Sequence, residues 1–128
     1  MTESQIILYA ISALILLFYV RRFIQRARMK EYSPKQVAGI LSDDSVVLLD
    51  VRSREERNHQ YIKGSMHIPV SEIAQKLHLL EKYKEKEIIC YCHSGSRSMA
   101  AVSILHKHGF NAANMKGGMI EWNSQKLT

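Results

Sequence analysis

A chain of 128 residues, 46% hydrophobic and 23% charged, has the length of one small domain and is too apolar to be disordered. Two cysteines cannot staple a disulfide scaffold, and six scattered histidines (His106 and His108 share no helix face) give no metal-ligand set. The formal charge of +6 is uneven: residues 21–30 hold five basic residues and no acid, while residues 31–128 hold 13 basic and 11 acidic, so no basic face for nucleic acid is evident.

The first predicted element is apolar. Ile6–Val20 reads IILYAISALILLFYV, with Ser12 as its one clearly polar residue. Fifteen helical residues reach roughly 22 Å at about 1.5 Å each, short of a hydrocarbon core of about 30 Å. Phe23 and Ile24 lengthen the run, and Arg21 and Arg22 can snorkel to the interface. A signal peptide wants a basic start and a small-x-small cleavage site, and Met1-Thr2-Glu3-Ser4 and the sequence after the run supply neither. A buried soluble helix wants a polar face, which the run lacks. A single membrane-spanning helix fits, with residues 6–24 in the bilayer. The basic residues Arg21, Arg22, Arg26, Arg28 and Lys30 then place residues 21–128 in the cytoplasm, at the inner face of the cell membrane. Residues 1–30 thus form an anchor with a basic juxtamembrane segment, and residues 31–128 a separate domain.

Arg26 to about Tyr32 reads as a linker. Ser33-Pro34-Lys35-Gln36 starts a helix: Ser33 as N-cap, Pro34 at the first position, Gln36 closing a capping box. Val46–Leu49 suits a strand buried on both faces. Ser53 and Glu56 form a second capping box and begin a short helix. Met66–Ile68 is a short strand. Ser71 caps a helix to Leu80, with Ile73, Leu77 and Leu80 on one face. Glu87–Cys92 is another buried strand, Ser98–His108 a helix stopped by Gly109, and Ala112–Met115 a last strand. Gly117-Gly118 opens a short helix carrying Trp122. Strands alternating with helices predict an α/β domain, a parallel sheet with helices on both faces. Ligands in such sheets sit beyond the carboxyl ends of the strands, here after Leu49 and after Tyr91.

The second of those places carries Cys92-His93-Ser94-Gly95-Ser96-Arg97-Ser98. A cysteine at a strand end, a loop with glycine and a helix start make a cradle of backbone N–H groups. The helix dipole and Arg97 add positive potential, which favours a thiolate and an incoming anion. The pattern predicts a nucleophilic Cys92 with His93, Ser94, Gly95, Ser96, Arg97 and Ser98 around the substrate. His93 either tunes the thiolate or faces solvent. Cys90, inside the strand, reads as a buried structural thiol rather than a resolving one.

Cys-x-x-Gly-x-Arg-Ser after a hydrophobic strand resembles the active-site loop of rhodanese-domain sulfurtransferases. The resemblance runs over about residues 32–126. Leu49-Asp50-Val51-Arg52 with Glu56 is similar to the family's DVR…E segment, and Ile62-x-Gly64-Ser65-x-x-Ile68-Pro69 to its HIPGAxxIP segment. Gly109-Phe110 and Gly117-Gly118-Met119-x-x-Trp122 are similar to its GF…GG…W pattern. The departures are Tyr61 for a usual His, Arg57 for an aromatic, Gln60 for a Gly and Lys63 for a Pro.

The resemblance implies a persulfide relay without a cofactor or metal. Cys92 takes sulfur from a small anionic donor such as thiosulfate, or from a protein persulfide, and passes it to a thiol or to cyanide. It also implies that Asp50 and Arg52 support the loop from the neighbouring strand end; their alternative is a solvated pair. Two other functions compete. A phosphatase or arsenate reductase of related fold would need Cys-x5-Arg, and the spacing here is Cys-x4-Arg. A membrane-tethered binding module of the same fold would not need the Cys92 and Arg97 that are present.

Overall fold

The computed structural model describes residues 1–27 and 29–127, with side chains except those of residues 25–27. Of the basic cluster, Arg28 and the Arg26 side chain lie outside the described residues. The apolar run is one helix, α1 (Glu3–Ala27); its Glu3–Ile24 stretch is long and apolar enough to cross a membrane, and none of it is buried against protein.

The remaining elements are β1 (Glu31–Tyr32), α2 (Pro34–Ile40), β2 (Val46–Asp50), α3 (Arg54–His59), β3 (Met66–His67), β4 (Glu87–Tyr91), α4 (Ser96–Lys107), β5 (Asn111–Met115) and α5 (Gly118–Ser124), and from α2 onward they follow the predicted order except between β3 and β4. Both capping boxes form. Ser33 and Gln36 bond reciprocally at the start of α2, as do Ser53 and Glu56 at the start of α3. The strands pair in parallel throughout, in the order β1-β5-β4-β2-β3.

Two expectations change. The 26–32 linker ends in strand β1, which pairs with β5 through Glu31↔Asn114 and Tyr32↔Met115. A two-residue strand has no periodicity to read. The helix expected from Ser71 to Leu80 is two 3₁₀ segments, Val70–Gln75 and Leu77–Tyr83, parted at Lys76. Leu77, Leu80 and Tyr83 are three apart, and a 3₁₀ turn of three residues eclipses them on the core side.

Apolar side chains fill both faces of the sheet. Leu49, Val51, Ile88, Cys90, Cys92 and Ala112 pack under α4 and the 3₁₀ segments with Ile73, Leu80, Val102 and Leu105. Leu48, Ile89, Tyr91, Ala113 and Met115 pack on the other side with Val37 of α2 and Met119 and Trp122 of α5. The alternation along each strand decides which residues lie under α4, and Cys92 does.

Candidate active site

Strand β4 ends at Tyr91, and Cys92 opens the turn that leads into α4. Gly95 takes φ +110, a region that L side chains rarely adopt. There its N–H donates to Cys92 Sγ at 3.0 Å. Ser98, in the first turn of α4, places Oγ 3.4 Å from the same sulfur. Burial opposes charge on Cys92. The Ser98 hydroxyl and the backbone N–H groups of Ser98, Gly95 and Ser94 outweigh it, so the thiol lies below its ordinary value. Cys90 lies on the same face of β4 without such donors, and burial, with the neighbouring Cys92, pushes its thiol far up. Of two buried cysteines two residues apart, one is set up as a nucleophile and the other is not.

Around the loop His93, Ser94 and Ser96 are exposed, Arg97 is half-exposed, and Gly95 and Ser98 are buried. The structure thus brings Cys92, Ser94, Gly95 and Ser98 together at the sulfur. Arg97 is engaged elsewhere. Its Nη1 and Nη2 donate to Oε1 and Oε2 of Glu56 at 2.6 and 2.8 Å. The Arg97 hydrogen bonds hold the Glu56 carboxyl down at about 2. The same carboxylate accepts from the Ser53 backbone N–H at 3.3 Å, so one group caps α3 and fixes the start of α4. Arg97 is therefore half of an ion pair rather than a free cation, and Glu56 is a site residue whose sequence signal was only a capping box and a family motif.

Helix α5 backs the loop. Met119 N–H donates to Cys92 O at 2.9 Å and Ile120 N–H to His93 O at 3.1 Å. Gly118 makes this approach possible: a Cβ there would lie 2.4 Å from Cys92 O and 2.6 Å from His93 C and O. The Gly117-Gly118 pair thus has a physical reason that the sequence alone did not disclose.

Among the described residues Asp50 and Arg52 make no hydrogen bond to the 93–98 loop, and they are buried rather than solvated. Arg52 Nε and Nη2 donate to Asp50 Oδ1 and Oδ2 at 2.9 and 2.7 Å, with both residues buried. Arg52 Nη2 also donates to Gln60 O at 2.6 Å, and Tyr91 Oη to Asp50 Oδ2 at 3.0 Å. Burial opposes the Asp50 charge, but its bonds to Arg52 and Tyr91 keep the carboxyl below the usual range. The pair secures the segment from α3 to β3 instead. The reason is parity: Asp50 falls on the face of Leu48 and Tyr91, whereas Cys92 falls on the face of Leu49 and Val51. Arg57 joins this cluster directly, Nη1 donating to Asp50 Oδ2 at 3.4 Å and to Ser65 Oγ at 2.6 Å, and its guanidinium lies 4.0 Å from the centroid of the exposed Tyr61 ring. Asn114 is a third residue not foreseen. It accepts a hydrogen bond from Ser98 Oγ and lies under Gly95.

A thiol of lowered pKa in a ring of backbone donors can attack an electrophilic sulfur and hold the anion that results. The profile of the family described as rhodanese-like domain matches residues 33–125. YtwF of Bacillus subtilis, provisionally named a sulfurtransferase, is 36% identical over 86 residues, which cover 67% of this chain and 82% of YtwF. YrkF of the same organism, provisionally named a sulfur carrier protein, is 39% identical over 85 residues, 66% of this chain but only 45% of YrkF. Among solved structures, a rhodanese-related protein of Thermoplasma volcanium superposes with a TM-score of 0.71 at 28% identity, covering 77% of this chain and 95% of that one. A rhodanese-like domain protein of Staphylococcus aureus gives a TM-score of 0.68 at 30% identity, covering 73% and 91%.

Proposed function

The chain belongs to the rhodanese-like domain family, and from that premise we propose that it is a sulfurtransferase whose Cys92 carries the sulfur. Relatives named sulfurtransferases support the class. The observation that carries the assignment to this residue is the Gly95 N–H at 3.0 Å from Sγ, within a loop that holds the thiol below its ordinary value.

The Cys92 thiolate attacks the outer sulfur of thiosulfate. The new bond is Sγ–S, the bond that breaks is sulfur to sulfur within the donor, and sulfite leaves with the electron pair. The N–H groups of Ser94, Gly95 and Ser98, together with the Ser98 hydroxyl, stabilise the anionic sulfur of the persulfide. An acceptor thiolate or cyanide then attacks the outer sulfur, and Cys92 leaves as thiolate. A protein persulfide serves as donor by the same displacement. No cofactor is required by these steps. The loop residues His93 and Ser96, exposed at the rim, are in place to meet donor and acceptor. Arg97 serves by shaping the loop, since Glu56 occupies its guanidinium. That occupation also counts against phosphoryl chemistry, which would need the guanidinium on the transferred group.

We propose further that α1 anchors the domain as a single membrane span with residues 21–128 on the cytoplasmic side. Its support is the Glu3–Ile24 stretch, 22 residues, about 33 Å of helix for a core of about 30 Å, with Arg21 and Arg22 near its end and Arg26, Arg28 and Lys30 after it. Protease digestion of inverted vesicles should remove the domain, and intact cells should protect it; the opposite pattern reverses the orientation.

The chemical proposal is tested on the full chain in detergent micelles. After thiosulfate, its intact mass under non-reducing conditions should rise by one sulfur atom, cyanide should reverse the gain, and Cys92→Ser should abolish it. No gain from either thiosulfate or a protein persulfide refutes the assignment.

A further inference from the structure

A line of hydrogen-bonding groups runs beneath the 93–98 loop from the first strand to the reactive sulfur. Ser98 is wholly buried, with Oγ 3.4 Å from Cys92 Sγ, 2.9 Å from Gly95 O and bonded to Asn114 Oδ1. Asn114 is 2% exposed and sends Nδ2 to Glu31 Oε2 at 3.3 Å. Sheet register produces this line. Asn114 lies between Glu31 on β1 and Cys90 on β4. By alternation it shares the face of Ala112, under α4, where Cys92 also lies.

A hydroxyl has one proton, and three acceptors surround that of Ser98. Asn114 Oδ1 is the closest of them. While the proton points there, Ser98 offers Sγ only a lone pair, which suits a neutral thiol. A thiolate or a persulfide anion is served only when the proton turns to sulfur. The orientation of the Asn114 amide decides the competition. With Oδ1 inward it draws the Ser98 proton. With Nδ2 inward it donates to Ser98 and leaves that proton to Gly95 O and Cys92 Sγ alone. A carboxylate can only accept, so Glu31 holds Nδ2 outward and Oδ1 inward.

We propose that Asn114 is a positioning residue set by Glu31, and that the two restrain how far the Ser98 hydroxyl is given to Cys92. The strand that follows the apolar helix would then reach the reactive sulfur through three side chains. The inference rests on Cys92 being the reacting thiol of the proposed sulfur transfer. The other charged or titratable groups around the sulfur are Cys90 on β4, His93 beside Cys92 in the loop, and Arg97 on α4, with Glu56 on α3 and Asp50 on β2 acting on Arg97. All stay unchanged in the variants below.

Glu31 is exposed, so its variants leave the core intact. Lysine can only donate, so Glu31→Lys pulls Oδ1 outward and turns Nδ2 toward Ser98. Glutamine does either, and Glu31→Gln should give a smaller effect. The full chain in detergent micelles is alkylated with iodoacetamide across pH, and modification is followed by intact mass, with Cys92→Ser as background. In Glu31→Lys the midpoint of the rate profile should move about 0.7 pH unit toward acid, about fivefold more thiolate below the midpoint, the scale of one hydrogen bond. In a Ser98→Ala background the shift should vanish. No shift, or a shift that survives Ser98→Ala and so reflects charge through space, overturns the inference. Sulfur loading is measured on the same samples. A chain that shows the shift but accepts no sulfur refutes the proposed function and leaves this coupling standing. A chain that loads sulfur with no shift does the reverse.

Discussion

Gly118→Ala tests whether α5 holds the reactive loop in place. The added Cβ meets Cys92 O at 2.4 Å and His93 C and O at 2.6 Å, all backbone, so no side-chain rotation relieves it. Restoring ordinary contact needs a relative shift of about 1 Å between α5 and the loop. That shift stretches the bonds from Met119 N–H to Cys92 O and from Ile120 N–H to His93 O, 2.9 and 3.1 Å long. Each is worth about 1 kcal/mol. The φ of +57 adds about 1–2 kcal/mol for a residue with a Cβ. A stiffer unfolded chain returns about 0.5 kcal/mol. The expected loss is about 3 kcal/mol. The assay is denaturant unfolding in micelles followed by the fluorescence of Trp122, the single tryptophan, which is buried on α5. Gly64→Ala is the control: φ is +88 there, but nothing lies within 4 Å of the new Cβ, so only backbone strain, about 1 kcal/mol, applies. Cys92 alkylation should also shift toward alkaline pH in Gly118→Ala, because the displaced loop withdraws N–H donors from sulfur. If Gly118→Ala matches Gly64→Ala in stability and wild type in Cys92 reactivity, α5 does not position the loop.

Further outcomes follow from the ion pairs and the second thiol. Asp50→Asn leaves Arg52 buried without its carboxylate, and unfolding measurements should show a loss of about 3–5 kcal/mol, with a value under about 1 kcal/mol contradicting the buried-pair account. Glu56 has a folded pKa depressed to about 2, so its stabilising effect is complete above its unfolded value near about 4.3 and disappears as pH falls toward 2. Both partners are partly in solvent, which limits the effect to about 1 kcal/mol. Unfolding midpoints of wild type and Glu56→Gln should therefore converge between pH 4 and 2; parallel curves would exclude the linkage. Cys90→Ala should load sulfur at the wild-type rate, since burial keeps that thiol protonated, and a loss of loading would make Cys90 part of the relay.

Much of this molecule is local and could be read from its order of residues. The capping boxes Ser33/Gln36 and Ser53/Glu56 involve groups three positions apart, and both form. Buried strands announce themselves as short apolar runs, and a cysteine between such a run and a helix start stands out as a candidate nucleophile without coordinates. The α/β class followed from strands alternating with helices, and the long helix at the start from its unbroken apolar run. Where the sequence misled, the cause was short range or wrong period: a two-residue strand at Glu31 and Tyr32, and 3₁₀ turns that share the spacing of an amphipathic helix.

What the tertiary structure alone decided are the pairings between distant segments. Arg97 finds Glu56 across 41 positions, Ser98 finds Asn114, and Gly118 meets the backbone of Cys92 and His93. Asp50 and Arg52, whose alternative reading was a solvated pair, form a buried tie to the end of α3, with Asp50 on the face of the sheet opposite Cys92. Residue types and spacing along the chain determine which groups are available for chemistry. Register and the face of the sheet determine which of them meet, and those depend on contacts that exist only after the strands have paired.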